Sequence, residues 1–153
     1  MALFVHATGV FINGQGVLIV GSSGVGKSAL ALELIEQGGF LIADDMTFLT
    51  AQNEKLYATA DEKWQGCIEA RGLGIVQNMP FKNPAEINYA IELVDEKTQR
   101  MPEKIEEKTY CGVRVPSFKI YKDEKKLSTL VKIAGKIVSK EVSLLPLSQN
   151  TEK

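Results

Sequence analysis

Residues 21–28 read Gly-Ser-Ser-Gly-Val-Gly-Lys-Ser, and no other stretch of the chain constrains its fold so tightly. The pattern is G-x-x-x-x-G-K-S, a glycine-rich loop whose backbone N–H groups converge on phosphate oxygens. Before it, Gly16-Val17-Leu18-Ile19-Val20 is a short β-branched apolar run with strand character. After it, Ala29-Leu30-Ala31-Leu32-Glu33-Leu34-Ile35-Glu36 consists of strong helix formers. Leu30 with Leu34, and Ala31 with Ile35, share a face at helical spacing. Gly38-Gly39 then offers a C-cap. Strand, loop and helix together put the loop at a helix N-terminus, where free N–H groups and the helix dipole favour an anion. Gly21, Ser22, Ser23, Gly24, Val25, Gly26, Lys27 and Ser28 are therefore the expected phosphate cradle of a nucleotide. Lys27 would reach the β- and γ-phosphates and the Ser28 hydroxyl would hold Mg2+. A chance glycine-rich turn is the alternative. With glycine near ~7% of residues, the four fixed positions coincide in such a chain on the order of once in a hundred.

The chain has 153 residues, which suits one domain, expected over residues 1–147 with a frayed tail at 148–153. A net charge of −1 provides no broad basic field and so argues against nucleic acid as a partner. Cys67 and Cys111 are only two and lie far apart, which fits reduced thiols better than a disulfide scaffold or a zinc site. The apolar start Met1-Ala2-Leu3-Phe4-Val5 is too short for a signal peptide, and no segment has the length of a membrane span. With ATP as the ligand, the expected location is the cytoplasm, with no membrane partner.

Leu3–Ala7 and Val10–Ile12 read as one or two strands broken at Thr8-Gly9. Asn13-Gly14 is a hairpin signal, so Val10–Ile12 should pair antiparallel with Val17–Val20. Phe40-Leu41-Ile42-Ala43-Asp44-Asp45 is an apolar run ending in two acids, and it completes a strand–helix–strand unit. In such sheets ligands sit beyond the carboxyl ends of the strands, which puts Asp44 and Asp45 beside the loop. Successive strand residues point to opposite faces, so only one of the two should aim squarely at the phosphates. Met46–Leu49 reads as continuing extended, Asn53-Glu54-Lys55 as a turn, and Leu56–Ala60 as a strand back. Ile68–Val76 mixes charges with two glycines in an apolar setting, where a buried charge needs a partner. Ile87–Val94 alternates as a strand should, and Glu92–Lys108 reads as a solvated charged excursion. Cys111–Pro116 and Phe118–Tyr121 read as a strand pair or one bent strand. Leu127, Leu130, Val131, Ala134, Ile137 and Val138 fall at helical spacing, with lysines on the other faces. The expected class is α/β, a mixed sheet with flanking helices.

A phosphate loop alone does not define a reaction. Phosphoryl transfer also needs a held metal and a group that orients or deprotonates the nucleophile. Asp44 or Asp45 could supply the metal contact and the other the base, against the blander reading of acids capping a turn. For Glu69 the bland reading is an ion pair with Arg71, two residues on and on the same strand face. His6, the one histidine, reads by itself as a structural strand residue.

Three segments in order carry a family resemblance: Gly21–Ser28, Leu41-Ile42-Ala43-Asp44-Asp45, and Ile68-Glu69-Ala70-Arg71-Gly72-Leu73-Gly74-Ile75. Together they resemble the catalytic domain of bacterial HPr kinase/phosphorylase, whose signature is similar to the third. The resemblance covers roughly residues 1–138 and is to the short alphaproteobacterial-type members without the N-terminal domain. It implies a P-loop nucleotide-binding domain related to phosphoenolpyruvate carboxykinase, assembled as homo-oligomers (hexamers). It implies an ATP- and Mg2+-dependent protein-serine kinase acting on an HPr-like phosphocarrier of the phosphotransferase system. It also implies phosphorolysis, with phosphate and pyrophosphate, as the reverse activity. Carried over by position, Lys27 belongs to the ATP site, and Ser28 and Glu69 match the magnesium positions, beside Asp44. Asp45 matches the acid that takes the serine proton, His6 an active-site histidine and Arg100 the catalytic arginine. The departures are Ala29 where the family usually has an acid, Ala70 for a larger apolar residue, and Tyr121–Lys126, which lacks the arginine of the family's basic loop.

Two other functions compete. A nucleotide-binding regulator without transfer chemistry needs only the loop. A small-molecule kinase needs a lid with several arginines, and the chain has only Arg71, Arg100 and Arg114.

Overall fold

The computed structural model describes residues 2–97 and 104–145. Arg100 and the 148–153 tail lie outside the described residues.

The loop emerges from a mixed sheet. Its strands are β1 (Ala2–Val5), β2 (Thr8–Ile12), β3 (Gln15–Val20), β4 (Phe40–Ala43), β5 (Thr47–Gln52) and β6 (Lys55–Thr59). A two-stranded hairpin, β7 (Ile68–Ala70) and β8 (Gly74–Val76), stands apart, and β9 (Ala85–Val94), β10 (Glu106–Tyr110) and β11 (Val113–Tyr121) complete the sheet. The helices are α1 (Lys27–Glu36) and α2 (Leu127–Val138). The main order is β1-β5-β6-β9-β3-β2-β4, with β11 pairing β9 and β10 pairing β11.

The Asn13-Gly14 turn has φ of 53° and 76°, the double-positive pattern of a tight hairpin, and joins β2 to β3 antiparallel as expected. Strand β4 also pairs antiparallel with β2, so β3 and β4 run parallel with β2 between them. The ends of β3 and β4 and the start of β2 consequently meet at one end of the sheet. The break before β2 falls at His6-Ala7 and not at Thr8-Gly9, because Thr8 already pairs with Ile19. Met46–Leu49 does not extend β4 either. Asp45 has φ 66°, a sharp turn that sends β5 back along β1.

Strand β9 is the spine. It runs parallel to β3 on one edge; on the other it meets β6 at Ala85–Glu86 and β11 from Ala90 onward. Asn88 is an extra residue against Gly16/Val17, and its Oδ1 accepts the Gly16 N–H at 2.8 Å. Two cores result. Val17, Ile19, Tyr89 and Ile91 pack under α1 and α2; Leu18, Ile42 and Ala90 pack against Leu49, Leu56 and Val115. Helix α2 buries Val131 and Ala134 as its spacing predicts. Strand β10 corrects the expected excursion: Glu106–Lys108 are paired residues, and Lys108 Nζ reaches Glu92 Oε1 at 3.0 Å. After the Cys111-Gly112 turn, Val113–Tyr121 form one strand.

Candidate functional site

The loop closes between β3 and α1 because glycine permits its backbone. Gly24 and Gly26 have φ of 80° and 111°, and Gly26 is the N-cap of α1. A Cβ at Gly21 would sit 2.9 Å from the Leu93 carbonyl oxygen, so the first glycine lets the loop leave against β9. Lys27 begins α1 and is buried; its Nζ donates to the Gly21 and Ser22 carbonyls at 2.9 and 3.0 Å.

Asp44 gathers the rest. Its Oδ1 accepts the hydroxyls of Ser28 at 2.6 Å and Thr8 at 3.0 Å, and its Oδ2 accepts the Glu69 N–H at 2.9 Å. One carboxylate thereby joins the loop, the start of β2 and the β7–β8 hairpin. Asp45 is 72% exposed and points elsewhere, with its Oδ1 4.0 Å from Nδ1 of the exposed His6. The two neighbouring acids therefore diverge, as the alternation argument expects, although a left-handed turn and not a strand pleat separates them.

Glu69 lies on β7 opposite Ile75, on the outward face of the hairpin, while Ile68 and Ala70 are buried. Arg71 sits in the turn beyond β7, and the anticipated Glu69–Arg71 ion pair is not formed. Ser28, Asp44 and Glu69 offer hydroxyl and carboxylate oxygens, hard donors of the kind Mg2+ takes alongside nucleotide phosphates and water. Among the described residues no three His, Cys, Asp or Glu side chains group as a metal cage by themselves. The residue that sequence reasoning missed is Thr8, which it treated as a strand break. No local signal marks it, since its partners Asp44 and Asp45 lie 36 and 37 residues away.

The fold and the loop define an α/β P-loop domain with a mixed sheet and flanking helices. The chain belongs to the family described as the HPr Serine kinase C-terminal domain, which it matches over residues 2–145. It is 39% identical over 97 residues to an HPr kinase/phosphorylase of Mycoplasmopsis pulmonis, covering 60% of this chain and 31% of that protein. It is 33% identical over 143 residues to one of Streptococcus pyogenes serotype M1, covering 86% of this chain and 46% of that protein. The chain thus spans less than half the length of these relatives. The solved structure of the Hpr(Ser) kinase/phosphatase from Coxiella burnetii superposes with a TM-score of 0.79 at 25% identity, covering 92% of this chain and 99% of that one.

Proposed function

We propose that this chain transfers the γ-phosphoryl group of ATP to a serine hydroxyl on an HPr-type phosphocarrier protein. The observation that carries the proposal is the division of labour between adjacent acids. Asp44 accepts from Ser28, Thr8 and the Glu69 N–H, whereas Asp45 is open to solvent beside His6 at the same end of the sheet. A general base must be open to the proton it takes. The names of the relatives, HPr kinase/phosphorylase, support the same assignment.

In this mechanism the acceptor serine oxygen bonds to the γ-phosphorus as the bond to the β,γ-bridging oxygen breaks, and ADP leaves. Asp45 takes the serine proton, with His6 beside it. Lys27 exchanges the Gly21 and Ser22 carbonyls for phosphate oxygens, a swap that places its charge where the transition state needs it. Mg2+, when bound, neutralises phosphate charge, and Ser28, Glu69 and Asp44 are the residues to hold it. Arg100 is proposed as a further cation on the transferred group. In phosphorolysis an oxygen of inorganic phosphate bonds to the phosphoserine phosphorus as the bond to the serine oxygen breaks; Asp45 returns its proton to that serine oxygen, and pyrophosphate leaves. A cytoplasmic, homo-oligomeric enzyme is part of this proposal. Among the described residues no helix is long and apolar enough to cross a membrane.

The test is incubation with γ-labelled ATP, Mg2+ and purified HPr-like carriers. Label on a carrier serine is the expected result. ATP binding without label on any carrier would overturn the kinase and leave a nucleotide-binding regulator.

A further inference from the structure

We infer that Thr8 is a positioning residue of this site, its one hydroxyl tying the nucleotide-side acid Asp44 to the acceptor-side base Asp45; the inference rests on the kinase proposal above. Thr8 opens β2 and its side chain is fully buried. A hydroxyl has one proton to give and lone pairs to receive. Here the proton goes to Asp44 Oδ1 at 3.0 Å, and a lone pair accepts the Asp45 N–H at 3.3 Å. No other side chain in the hydrogen-bond network of the described residues touches both acids.

Asp45 needs such an anchor. Its φ of 66° is left-handed, and the Met46 N–H donates to the Asp44 carbonyl at 2.7 Å, closing a three-residue turn with Asp45 at its centre. A three-residue turn with positive φ at its centre is a rare, strained conformation for a residue with a side chain. Strain of this kind persists only where the surroundings over-determine it. The Thr8 hydroxyl fixes the N–H at the entrance of the turn, and the same hydroxyl fixes the carboxylate that receives the P-loop serine. The backbone from which the Asp45 side chain projects is thereby tied to the position of Ser28. The alternative role for Thr8 is plain space-filling at the start of β2, which valine would fill equally well.

Thr8→Val keeps the shape and removes the hydroxyl, and Thr8→Ser keeps the hydroxyl. Both are to be compared with the unaltered protein for kcat of carrier phosphorylation, ATP dissociation constant and amide hydrogen exchange at Asp45. Removing a supporting hydrogen bond around a reactive centre lowers activity by about 10- to 100-fold, and that loss is expected in kcat for Thr8→Val. ATP affinity should move by less than about threefold, since the loss falls on transition-state geometry and not on nucleotide binding. Thr8→Ser should restore kcat, and the Asp45 amide should exchange faster in the valine variant alone. A kcat for Thr8→Val within about twofold of the unaltered protein overturns the inference, as does an equal loss in both variants. Should the unaltered protein label no carrier, the kinase proposal falls by itself. The amide exchange then decides the anchoring: faster exchange in Thr8→Val, reversed in Thr8→Ser, upholds it, and unchanged exchange rejects it.

Discussion

The hydroxyl of Ser28 donates to Asp44 Oδ1 across 2.6 Å, joining the last residue of the phosphate loop to an acid 16 residues further along the chain. Every donor that meets this carboxylate does so with an N–H or O–H already committed. Asp44→Asn keeps the shape but turns one carboxylate oxygen into an NH2 group. That group must then face either the Glu69 N–H, donor against donor, or the two hydroxyls, which can accept from it only by turning their own protons away from their present acceptor. We predict a loss of about 1–3 kcal/mol in folding stability, the usual result of leaving a partly buried donor unmatched. Nucleotide affinity in the presence of Mg2+ should fall as well. Denaturant unfolding without nucleotide and calorimetric titration with ATP measure the two effects. Unchanged unfolding would show that Asp44 does not hold these elements together.

What could be read from the sequence follows from how local each signal is. The phosphate loop, its strand and helix, and the Asn13-Gly14 hairpin are decided by neighbours a few residues away, and they are found as expected. The diverging acids followed from their place at a strand end. Strand β10 was hidden because Glu106, Glu107 and Lys108 show no apolar alternation; the strand is held by its pairing with β11 and by the Lys108–Glu92 bridge. The β7–β8 hairpin was hidden because its outward face carries Glu69 and the 61%-exposed Ile75 together, so no periodicity emerges. Thr8 was unreadable for a stronger reason: a threonine before a glycine signals a break, and only the return of the chain at Asp44 and Asp45 gives its hydroxyl partners.

Gly135 in the interior of α2 is a second place where local propensity loses to packing. Alanine is favoured over glycine there by about 1 kcal/mol on propensity alone. A Cβ at this position, however, would sit 2.9 Å from the Tyr89 hydroxyl and 2.5 Å from Gln15 Oε1. The Gln15 amide can swing away, but the Tyr89 hydroxyl is buried and donates to the Val131 carbonyl at 3.0 Å. Gly135→Ala should therefore destabilise the protein, by about 1–3 kcal/mol as overpacked cores do. In a Tyr89→Phe background the same change should be milder by about 0.5 kcal/mol or more, the coupling expected of touching residues. A double-mutant cycle by chemical denaturation measures this, and a stabilised Gly135→Ala single variant would refute the clash.

Tyr89 also predicts how stability responds to alkali. Burial holds its phenol well above the ordinary value of 10.0. Below pH 10 the phenol is protonated in both folded and unfolded chains and contributes no pH dependence. Above pH 10 the unfolded chain loses the proton first, so the unfolded state binds fewer protons and stability falls as pH rises. Tyr110 is raised too, mainly by burial and with Glu92 adding to it while Lys108 opposes. Thermal unfolding from about pH 8 to about pH 11.5, a range that brackets the ordinary phenol value, should show a decline beginning near pH 10. Tyr89→Phe should flatten that decline without abolishing it. Parallel profiles for the two proteins would mean that Tyr89 ionises in the folded state as freely as in the unfolded one.

Asp45 offers the sharpest separation of binding from chemistry. Its carboxylate is 72% exposed and lies 4.0 Å from Nδ1 of the exposed His6, so removing the charge leaves no buried group unmatched. Its backbone is left-handed at φ 66°, a region that asparagine tolerates as well as aspartate does. Asp45→Asn should therefore fold normally and bind ATP nearly as the unaltered protein does, because the phosphate cradle, Lys27 and the Ser28–Asp44 bond are untouched. An amide cannot accept the proton of the acceptor serine. General-base catalysis contributes about 10²- to 10⁴-fold, and transfer to the carrier should fall by that factor. Because the same carboxylate returns the proton in the reverse direction, formation of pyrophosphate from inorganic phosphate and the phosphorylated carrier should fall in parallel. Single-turnover transfer from γ-labelled ATP, set beside the ATP dissociation constant, reads both quantities. Full transfer activity in Asp45→Asn would remove this residue from the role of base and leave the proton to the neighbouring His6 or to solvent.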